Sequence, residues 1–336
     1  MLGKTIGDWM NLRLAMLSVF TVLVATSFSH GASSAKLPLG YSAITATMAP
    51  LWAGRDNGIF AKYGIEAELI YLAGGSRIAL ALQSDSIQIG QMALNAGVEA
   101  RLAGGDATII GTVYDTYYFQ IFSKPAITSA AQLKGKVIAA SSAGSASDYG
   151  IRDALETVGL KDSEYKILYA WGTDARVHAL QQGLADAAII SPPNGLIAQK
   201  LGFRELMNLI EIKIPFGYGV FAARESWLKQ NRATALNFYK AYLEALAALR
   251  KDGALAQRLI GKYSRISDRE VLQESYRTSI PHIPSRPYVS RELVATALKT
   301  SRRDAARRAE AEQFYDNSLI KELDDSGFIN VLLGKR

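Results

Sequence analysis

The sequence of 336 residues contains no cysteine and only three histidines. The lack of cysteine excludes disulfide bonds, thiolate metal ligands and thiol nucleophiles. Only His178 and His282 lie beyond residue 35, and we interpret neither of them as a metal ligand. We therefore expect no metal site, and no residue pattern indicates a cofactor.

Motifs for nucleotide binding and for serine hydrolysis are also missing. No GxxxxGKS/T phosphate loop occurs, no GxGxxG follows a strand-like run, and no GxSxG surrounds a serine. The most basic stretch, Arg302–Arg308, contains Asp304 and is followed by Glu310 and Glu312. We interpret it as a solvated helix face, so nucleic acid is not an expected partner.

The first 35 residues have the features of a secretory signal peptide. Lys4 and Arg13 precede an uncharged apolar run, Leu14–Phe28, and small residues follow as far as Ala35. The run is shorter than the ~20 residues that a membrane-spanning helix needs. We predict export to the periplasm, with an uncleaved N-terminal anchor as the minor alternative.

Removal of this segment leaves 301 of the 336 residues, enough for two domains with hydrophobic cores. The formal net charge falls from +7 to +6, because two cations and one anion are removed. A basic exported protein mildly favours anionic ligands.

The chain contains an internal repeat, at residues 37–97 and again at 136–193. In both copies a strand-like run leads into a polar loop and a helix. A glycine, a second strand, a glycine-containing turn, a second helix and a third strand follow. The copies also align locally, with ALALQSDSIQIG matching VHALQQGLADAA. A repeat of this length predicts two similar α/β lobes that bind ligand at the carboxyl ends of their strands.

The polar loops of the two copies are the main candidates for ligand contact. In the second copy, Ser145, Ser147 and Asp148 lie where a strand-like run enters a helix. Free backbone N–H groups at a helix N-terminus, together with serine hydroxyls, favour an anionic or acceptor-rich group. The alternative, that Ser147 only caps the helix, stays open.

The first copy has an equivalent loop and a glycine turn. The loop, residues 42–47, includes Ser42, Thr45 and Thr47, and it is predicted to bind ligand because it matches the second-copy loop. In the turn, Gly75 allows the backbone to approach a ligand closely, and Ser76 is expected to cap the next helix.

Two aromatic, strand-like stretches flank the second copy and resemble a hinge. Tyr114 and Tyr117 lie in residues 112–119, and Tyr218 lies in residues 215–219. We expect these tyrosines to face a cleft and to stack on an organic ligand, although packing within the core is the alternative. Asn194 follows the last strand of the second copy and is expected to reach the same cleft.

From Glu225 onward the pattern is helical, with an apolar stripe through residues 235–249 and helices expected at 255–263, 268–278, 291–313 and 317–326. These helices are expected to pack on the first lobe. Their sequences indicate no chemistry.

Several short stretches together carry a resemblance to a known family. They are Ala-Pro-Leu-Trp at 49–52, Gly-Gly-Ser at 74–76, Leu-Lys-Gly-Lys-Val at 133–137 and Pro-Pro at 192–193. They resemble the nitrate/sulfonate/taurine and thiamine-pyrimidine-precursor family of substrate-binding proteins of ABC importers. The resemblance implies an α/β, type II periplasmic-binding-protein fold, with two lobes, a two-strand hinge and a helical C-terminal extension. The implied bounds are 36–116 with 219–336 for lobe one and 117–218 for lobe two.

The resemblance also implies a function. The chain would be a monomer that captures a sulfonate, taurine, carboxylate or pyrimidine by hinge closure and delivers it to an inner-membrane permease with its ATPase. The implied ligand-facing positions are residues 42–47, Gly75, Ser76, Asn95, 114–117, 145–148 and Asn194. Two alternatives stay open: a binding protein that serves a sensor, and an enzyme like the fungal thiamine-pyrimidine synthases. The fungal enzymes have motifs with cysteine and histidine, and this chain has no cysteine.

Overall fold

The computed structural model describes residues 35–334, and within them ten strands form two mixed sheets. The strands are β1 (Ala35–Tyr41), β2 (Ile65–Tyr71), β3 (Ile89–Met92), β4 (Ala107–Thr116), β5 (Gln120–Ser123), β6 (Val137–Ala140), β7 (Lys166–Tyr169), β8 (Ala187–Ile190), β9 (Arg204–Asn208) and β10 (Pro215–Arg224). One sheet has the order β2-β1-β3-β10-β4, and the other has the order β7-β6-β8-β5-β9.

The two sheets share one topology, as the sequence repeat predicts. In the first sheet β1 pairs in parallel with β2 and β3, and in the second β6 pairs in parallel with β7 and β8. An antiparallel strand follows in each, β10 beside β3 and β5 beside β8. The carboxyl ends of each parallel trio therefore meet at one edge of the sheet, where open α/β sheets bind ligands.

Fourteen α-helices surround the sheets within the described range. They are α1 (Ala49–Asp56), α2 (Ile59–Lys62), α3 (Gly75–Gln83), α4 (Leu94–Leu102), α5 (Ala146–Glu156), α6 (Thr173–Gln181), α7 (Asn194–Lys200), α8 (Leu209–Ile212), α9 (Glu225–Lys251), α10 (Gly253–Ser264), α11 (Arg269–Ser279), α12 (Arg291–Thr300), α13 (Ser318–Asp325) and α14 (Phe328–Leu332). Short 3-10 turns occur at Ala46–Met48, Ala130–Leu133, Asp162–Glu164, Ile280–His282, Asp304–Arg308 and Ala311–Phe314.

The chain crosses between the sheets twice, once from β4 to β5 and once from β9 through α8 to β10. The crossings lie side by side, because Thr116 pairs with Pro215 in the first sheet. The Tyr117 ring also stacks on Phe216, with centroids 4.1 Å apart and planes 13° apart. Both crossings are aromatic, as predicted for a hinge, and the exact lobe bounds stay a prediction.

The C-terminal helices pack on the first sheet and its helices, with α9 against α1 and α2. One expectation was wrong: the helix predicted for 291–313 ends at Thr300, and two 3-10 turns replace the rest. Six of the ten residues in 301–310 are charged. Such a stretch has no continuous apolar stripe to bury, so no packing energy favours a longer helix.

Large aromatic side chains form the core beside the first sheet. Trp52 is 0% exposed and Phe60 is 1% exposed, so both side chains belong to this core. Within residues 35–334, no helix combines the length and hydropathy that crossing a bilayer requires. The predicted signal peptide lies outside the described residues, except for Ala35 at the start of β1.

Candidate ligand-binding site

A cavity of about 330 Å³ lies between the two sheets, at the carboxyl ends of their parallel strands. Its walls are the loops that follow β1, β2, β6, β7 and β8 and the starts of the helices after them, joined by residues from other elements. Loops from both sheets therefore line one shared cavity. The repeat predicts this arrangement, since both copies end their strands in polar loops.

Gly74 and Gly172 lie at equivalent positions of the repeat, as the N-caps of α3 and α6. Their φ angles are 89° and 85°, with extended ψ, a conformation that is open essentially only to glycine. A Cβ on Gly74 would lie 3.0 Å from the Oγ of Ser142, which belongs to the other sheet's loop. Glycine here lets the two sides of the cavity approach each other closely.

Ser76 is not the predicted N-cap of α3. That position is Gly74, and Ser76 is the second residue of the helix. The left-handed backbone at Gly74 turns the chain into the helix two residues earlier than the sequence pattern indicates. Ser76 lies outside the cavity lining.

The serine loop between β6 and α5 is organised by its own hydroxyl groups. Ser145 is the N-cap of α5, and its Oγ accepts from the Asp148 N–H at 3.3 Å. The Oγ of Ser147 accepts from the Ser141 N–H at 2.9 Å and lies 2.9 Å from the Oγ of Ser145. The loop is therefore held in one conformation while Ser141, Ser145 and Ser147 line the cavity.

Asp148 lies in the first turn of α5, directed away from the cavity lining. Its Oδ1 accepts from the Nη2 of Arg152 at 3.0 Å and from the Tyr169 hydroxyl at 3.2 Å. Its Oδ2 accepts from the Gly144 N–H at 2.9 Å. Because Arg152 pairs with this carboxylate, Asp148 does not oppose an anion at the loop.

Arg176, on α6, is the buried cation of the cavity. It lines the cavity but is only 3% exposed to solvent. Its Nη2 donates to the Oγ1 of Thr173 at 3.0 Å, and its Nε has no hydrogen-bond partner. Among the residues that the structure describes, no carboxylate forms an ion pair with it. A buried, unpaired guanidinium is costly unless an anion neutralises it.

Burial lowers the pKa of Arg176 to about 10, and the nearby Tyr218, Tyr71 and Asp174 oppose that shift. The group therefore stays protonated at neutral pH and remains a receptor for negative charge. Burial also raises the pKa of Tyr218 to about 12, so this cavity-lining phenol stays neutral and can donate a hydrogen bond.

The remaining polar groups of the second sheet's loops are largely paired with one another. Thr173 and Ser191 place their hydroxyl oxygens 3.1 Å apart. The Nδ2 of Asn194 donates to the Oδ1 of Asp174 at 3.0 Å. Asp174 is thus engaged by an amide, and Arg176 keeps donor capacity for a ligand.

The end of α10 also lines the cavity, through Tyr263, Ser264 and Arg265. The Tyr263 ring stacks on Trp52 in α1, with centroids 4.3 Å apart and planes 2° apart. Its hydroxyl donates to the Oδ1 of Asp56 at 3.0 Å. The C-terminal helices, whose sequences indicate no chemistry, therefore supply one wall of the site.

Six of the residues singled out to contact ligand line this cavity: Ser42, Gly75, Ser145, Ser147, Asn194 and Tyr218. Ala43, Ile44 and Ala146, from the two predicted loops, line it as well. Thr45 and Thr47 lie behind the lining, buried, with their hydroxyl oxygens 2.9 Å apart.

Three other predicted residues are hydrogen-bonded outside the lining. Asn95 donates to Thr300 at 3.1 Å, Tyr114 to the Thr278 carbonyl at 3.1 Å, and Tyr117 to Asp153 at 2.5 Å. Tyr114 and Tyr117 pack at the two crossings between the sheets, which is the alternative that the sequence left open for them.

No sequence pattern singles out Arg176 or Arg265 as ligand residues. One signal for Arg176 exists, however: it lies three and four residues before Ala179 and Leu180, on the buried face of α6. An arginine on an apolar helix face is rare unless it has a partner. Among residues 35–334, no group of histidine, aspartate and glutamate side chains is arranged to hold a metal ion.

Solved structures share this fold at low sequence identity. The alkanesulfonate-binding protein SsuA from Xanthomonas axonopodis pv. citri, bound to MOPS, has a TM-score of 0.70 and 20% identity, over 84% of this chain and 98% of its own. The periplasmic nitrate-binding protein NrtA from Synechocystis PCC 6803 has a TM-score of 0.69 and 13% identity, over 87% and 88%. A Candida albicans protein with the generic periplasmic binding protein fold has a TM-score of 0.68 and 13% identity, over 84% and 96%.

No curated protein sequence matches the chain. The model of one protein family, described as NMT1/THI5 like, matches residues 45–254, which is more than half of the sequence and includes the whole serine loop of the second copy. The chain therefore belongs to the NMT1/THI5 like family, and its two sheets form the fold of the periplasmic binding proteins.

Proposed function

We propose that this protein is the exported solute-binding component of an ABC importer and that it captures a small organic anion. The observation that carries the ligand class is Arg176, a guanidinium that lines the cavity, is 97% buried and lacks a carboxylate partner among the described residues. Arginine presents a planar set of donors that matches carboxylate and sulfonate oxygens.

The size of the cavity supports an organic anion rather than a simple inorganic one. Its volume of about 330 Å³ is at the lower end of the range for sites that bind small organic molecules. Phe119, Tyr218 and Tyr263 supply apolar surface for the body of such a ligand. The similar structures named for alkanesulfonate and nitrate are consistent with an anion.

Capture would occur by closure of the two lobes about the aromatic crossings. The serine loop and Arg176 belong to the second sheet, whereas Ser42, Gly75 and Tyr263 come from the first sheet and its helices. A ligand that contacts both sides stabilises the closed state. The closed monomer would then deliver its ligand in the periplasm to an inner-membrane permease with its ATPase, and the protein itself acts as a carrier, not as an enzyme.

A thermal-shift screen followed by calorimetry tests the proposal. Protein purified from the periplasm and freed of bound ligand is mixed with alkanesulfonates, taurine, aromatic carboxylates, nitrate, bicarbonate, pyrimidines and flavins. A micromolar ligand at millimolar concentration is expected to stabilise the folded state by about 4 kcal/mol. We expect the positive results among organic anions.

Two arginine variants make the test specific. Arg176→Gln is expected to weaken anion binding by at least about 100-fold, since a buried charge-assisted contact is lost. Arg258→Gln, at an exposed position of α10, is the matched control and is expected to bind normally. Binding of neutral heterocycles alone, or full anion affinity in Arg176→Gln, would contradict the proposed ligand class.

A further inference from the structure

Two guanidinium groups line the cavity, and they come from opposite walls. Arg176 belongs to α6 beside the second sheet, and Arg265 directly follows α10, which packs on α1 beside the first sheet. Arg176 is buried, whereas Arg265 is exposed at the mouth of the cavity. The cavity therefore has one deep cationic group and one at its entrance.

Neither guanidinium is neutralised within the described part of the chain. No ion pair involves Arg176 or Arg265, although surface arginines such as Arg232 and Arg291 have acidic partners. The lining contains one carboxylate among its described residues, Asp174, and its Oδ1 accepts from Asn194. The lining thus carries two positive charges against one negative charge.

The backbone at Arg265 is unusual for an arginine. Its φ and ψ angles are 58° and 32°, the left-handed conformation in which glycine or asparagine normally ends a helix. A cation near a helix C-terminus is favoured by the helix dipole, which accounts for the sign of the charge. The helix dipole does not, however, require an arginine at the left-handed position itself. Residues with strained backbone of this kind concentrate at binding sites.

Besides the serine loops, the lining has apolar and aromatic side chains. They include Ile44, Met48, Tyr71, Phe119, Tyr218 and Tyr263. We propose that the cavity takes a compact dianion, with an apolar body between two carboxylate or sulfonate groups, one on Arg176 and the other on Arg265. This inference rests on the proposed function and names its ligand class more narrowly.

The two arginines are expected to contribute unequally. A monoanion on Arg176 leaves Arg265 hydrated at the mouth of the cavity, at no cost. A dianion gains a second, solvent-exposed ion pair, so it is expected to bind up to about fivefold more tightly at low ionic strength. This advantage should shrink as salt is added, because an exposed pair is screened.

Calorimetry with matched anions tests the inference. Benzoate is compared with the three benzenedicarboxylates, and ethanesulfonate with 1,2-ethanedisulfonate, on ligand-free protein from the periplasm. In the wild-type protein at least one dianion is expected to exceed its monoanion in affinity. In Arg265→Gln and Arg265→Gly the two members of that pair are expected to bind with equal affinity.

Arg265→Gly separates binding from folding. Glycine adopts the left-handed conformation without strain, so the melting temperature of this variant should equal or exceed that of the wild type. Its loss of dianion preference therefore cannot arise from unfolding. Arg265→Lys, which keeps the charge, is expected to retain part of the preference.

The outcomes separate this inference from the proposed function. If monoanions and dianions bind the wild type equally, or if the dianion preference survives in Arg265→Gln, the second anionic group does not contact Arg265 and the inference is overturned. The proposed function then stands, provided that Arg176→Gln still weakens anion binding by at least about 100-fold. If no anion binds the wild type and neutral ligands do, the proposed function itself fails.

Discussion

The guanidinium carbon of Arg77 lies 3.8 Å from the ring centroid of Trp171. Arg77 belongs to α3 beside the first sheet, and Trp171 lies between β7 and α6 of the second. The contact therefore bridges the two sides of the cavity near its mouth, where Trp171 is 44% exposed. A cation–π pair in this position holds the two sides of the cavity together.

Replacement of Arg77 by alanine is expected to weaken ligand binding modestly and to speed ligand release. An exposed cation–π pair contributes about 0.5–1 kcal/mol, which corresponds to about twofold to fivefold in affinity. Stopped-flow dissociation and calorimetry measure the effect, and Arg77→Lys is the control that keeps the cation. A double-mutant cycle with Trp171→Ala should show coupling, and strictly additive effects would show that the contact is energetically silent.

The double variant Ser145→Ala/Ser147→Ala is expected to bind ligand more weakly without unfolding. It loses the N-cap of α5, which costs about 0.5–2 kcal/mol of stability, and it removes two hydroxyls from the cavity wall. Ser290→Ala is the control, since Ser290 caps α12 by accepting from the Leu293 N–H and lies outside the lining. Urea unfolding and calorimetry are compared. Unchanged affinity in the double variant would mean that the loop is only a helix cap.

Gly74→Ala and Gly172→Ala are expected to differ in binding more than in stability. Both residues have positive φ and extended ψ, so alanine strains the backbone by about 1–3 kcal/mol in each case. A Cβ on Gly172 would meet only the Tyr71 hydroxyl at 3.8 Å, whereas one on Gly74 would lie 3.0 Å from the Ser142 Oγ. Only Gly74→Ala should therefore also lower affinity severalfold, as measured by calorimetry on variants of equal melting temperature. Equal affinities would show that the approach of Gly74 to Ser142 does not limit closure.

Asp186→Asn is expected to destabilise the protein at pH 7 and much less at pH 3. The Oδ1 of Asp186 accepts from the Nζ of Lys124 at 2.9 Å, and this hydrogen bond lowers the pKa of the carboxyl against the opposing effect of burial. A lowered folded pKa stabilises the fold above the unfolded pKa of about 3.9, and that contribution is lost as the pH falls through the folded value. Because the pair is partly exposed, the loss at neutral pH should be about 0.5–1 kcal/mol. Urea titrations of wild type and variant at both pH values give the difference, and a pH-independent difference would contradict this assignment.

Much of the fold follows from local pattern. The strand-loop-helix order of the two copies predicts the parallel trios β2-β1-β3 and β7-β6-β8, because periodicity and glycine positions act over a few residues at a time. The split of the predicted helix at 291–313 shows the limit of this reasoning. Helix propensity is weak, and the end of α12 at Thr300 depends on what its next turn would have packed against.

Only part of the candidate site could be predicted from the sequence. Polar loops such as residues 141–148 are visible in the sequence, because a serine-rich stretch between a strand and a helix has a local signature. Tyr114 and Tyr117 also end in a polar hydroxyl group. In the structure, however, these hydroxyls donate to the Thr278 carbonyl and to Asp153, outside the cavity. Which side chains of a crossing face the ligand depends on how the two sheets twist. The strands of those sheets come from distant parts of the sequence.

The sequence by itself determined the α/β class, the duplicated lobe, the helical C-terminal region and the serine loops, since each has a signal within one or two elements. Only the tertiary structure decided that Arg176 lies buried and unpaired beside those loops, and that Arg265 lies at the mouth of the cavity on the opposite wall. Residues 176 and 265 are far apart along the chain, and their charges face one space only because α10 packs on α1 beside the first sheet. The electrostatics of this cavity therefore arise from long-range packing, which no local pattern encodes.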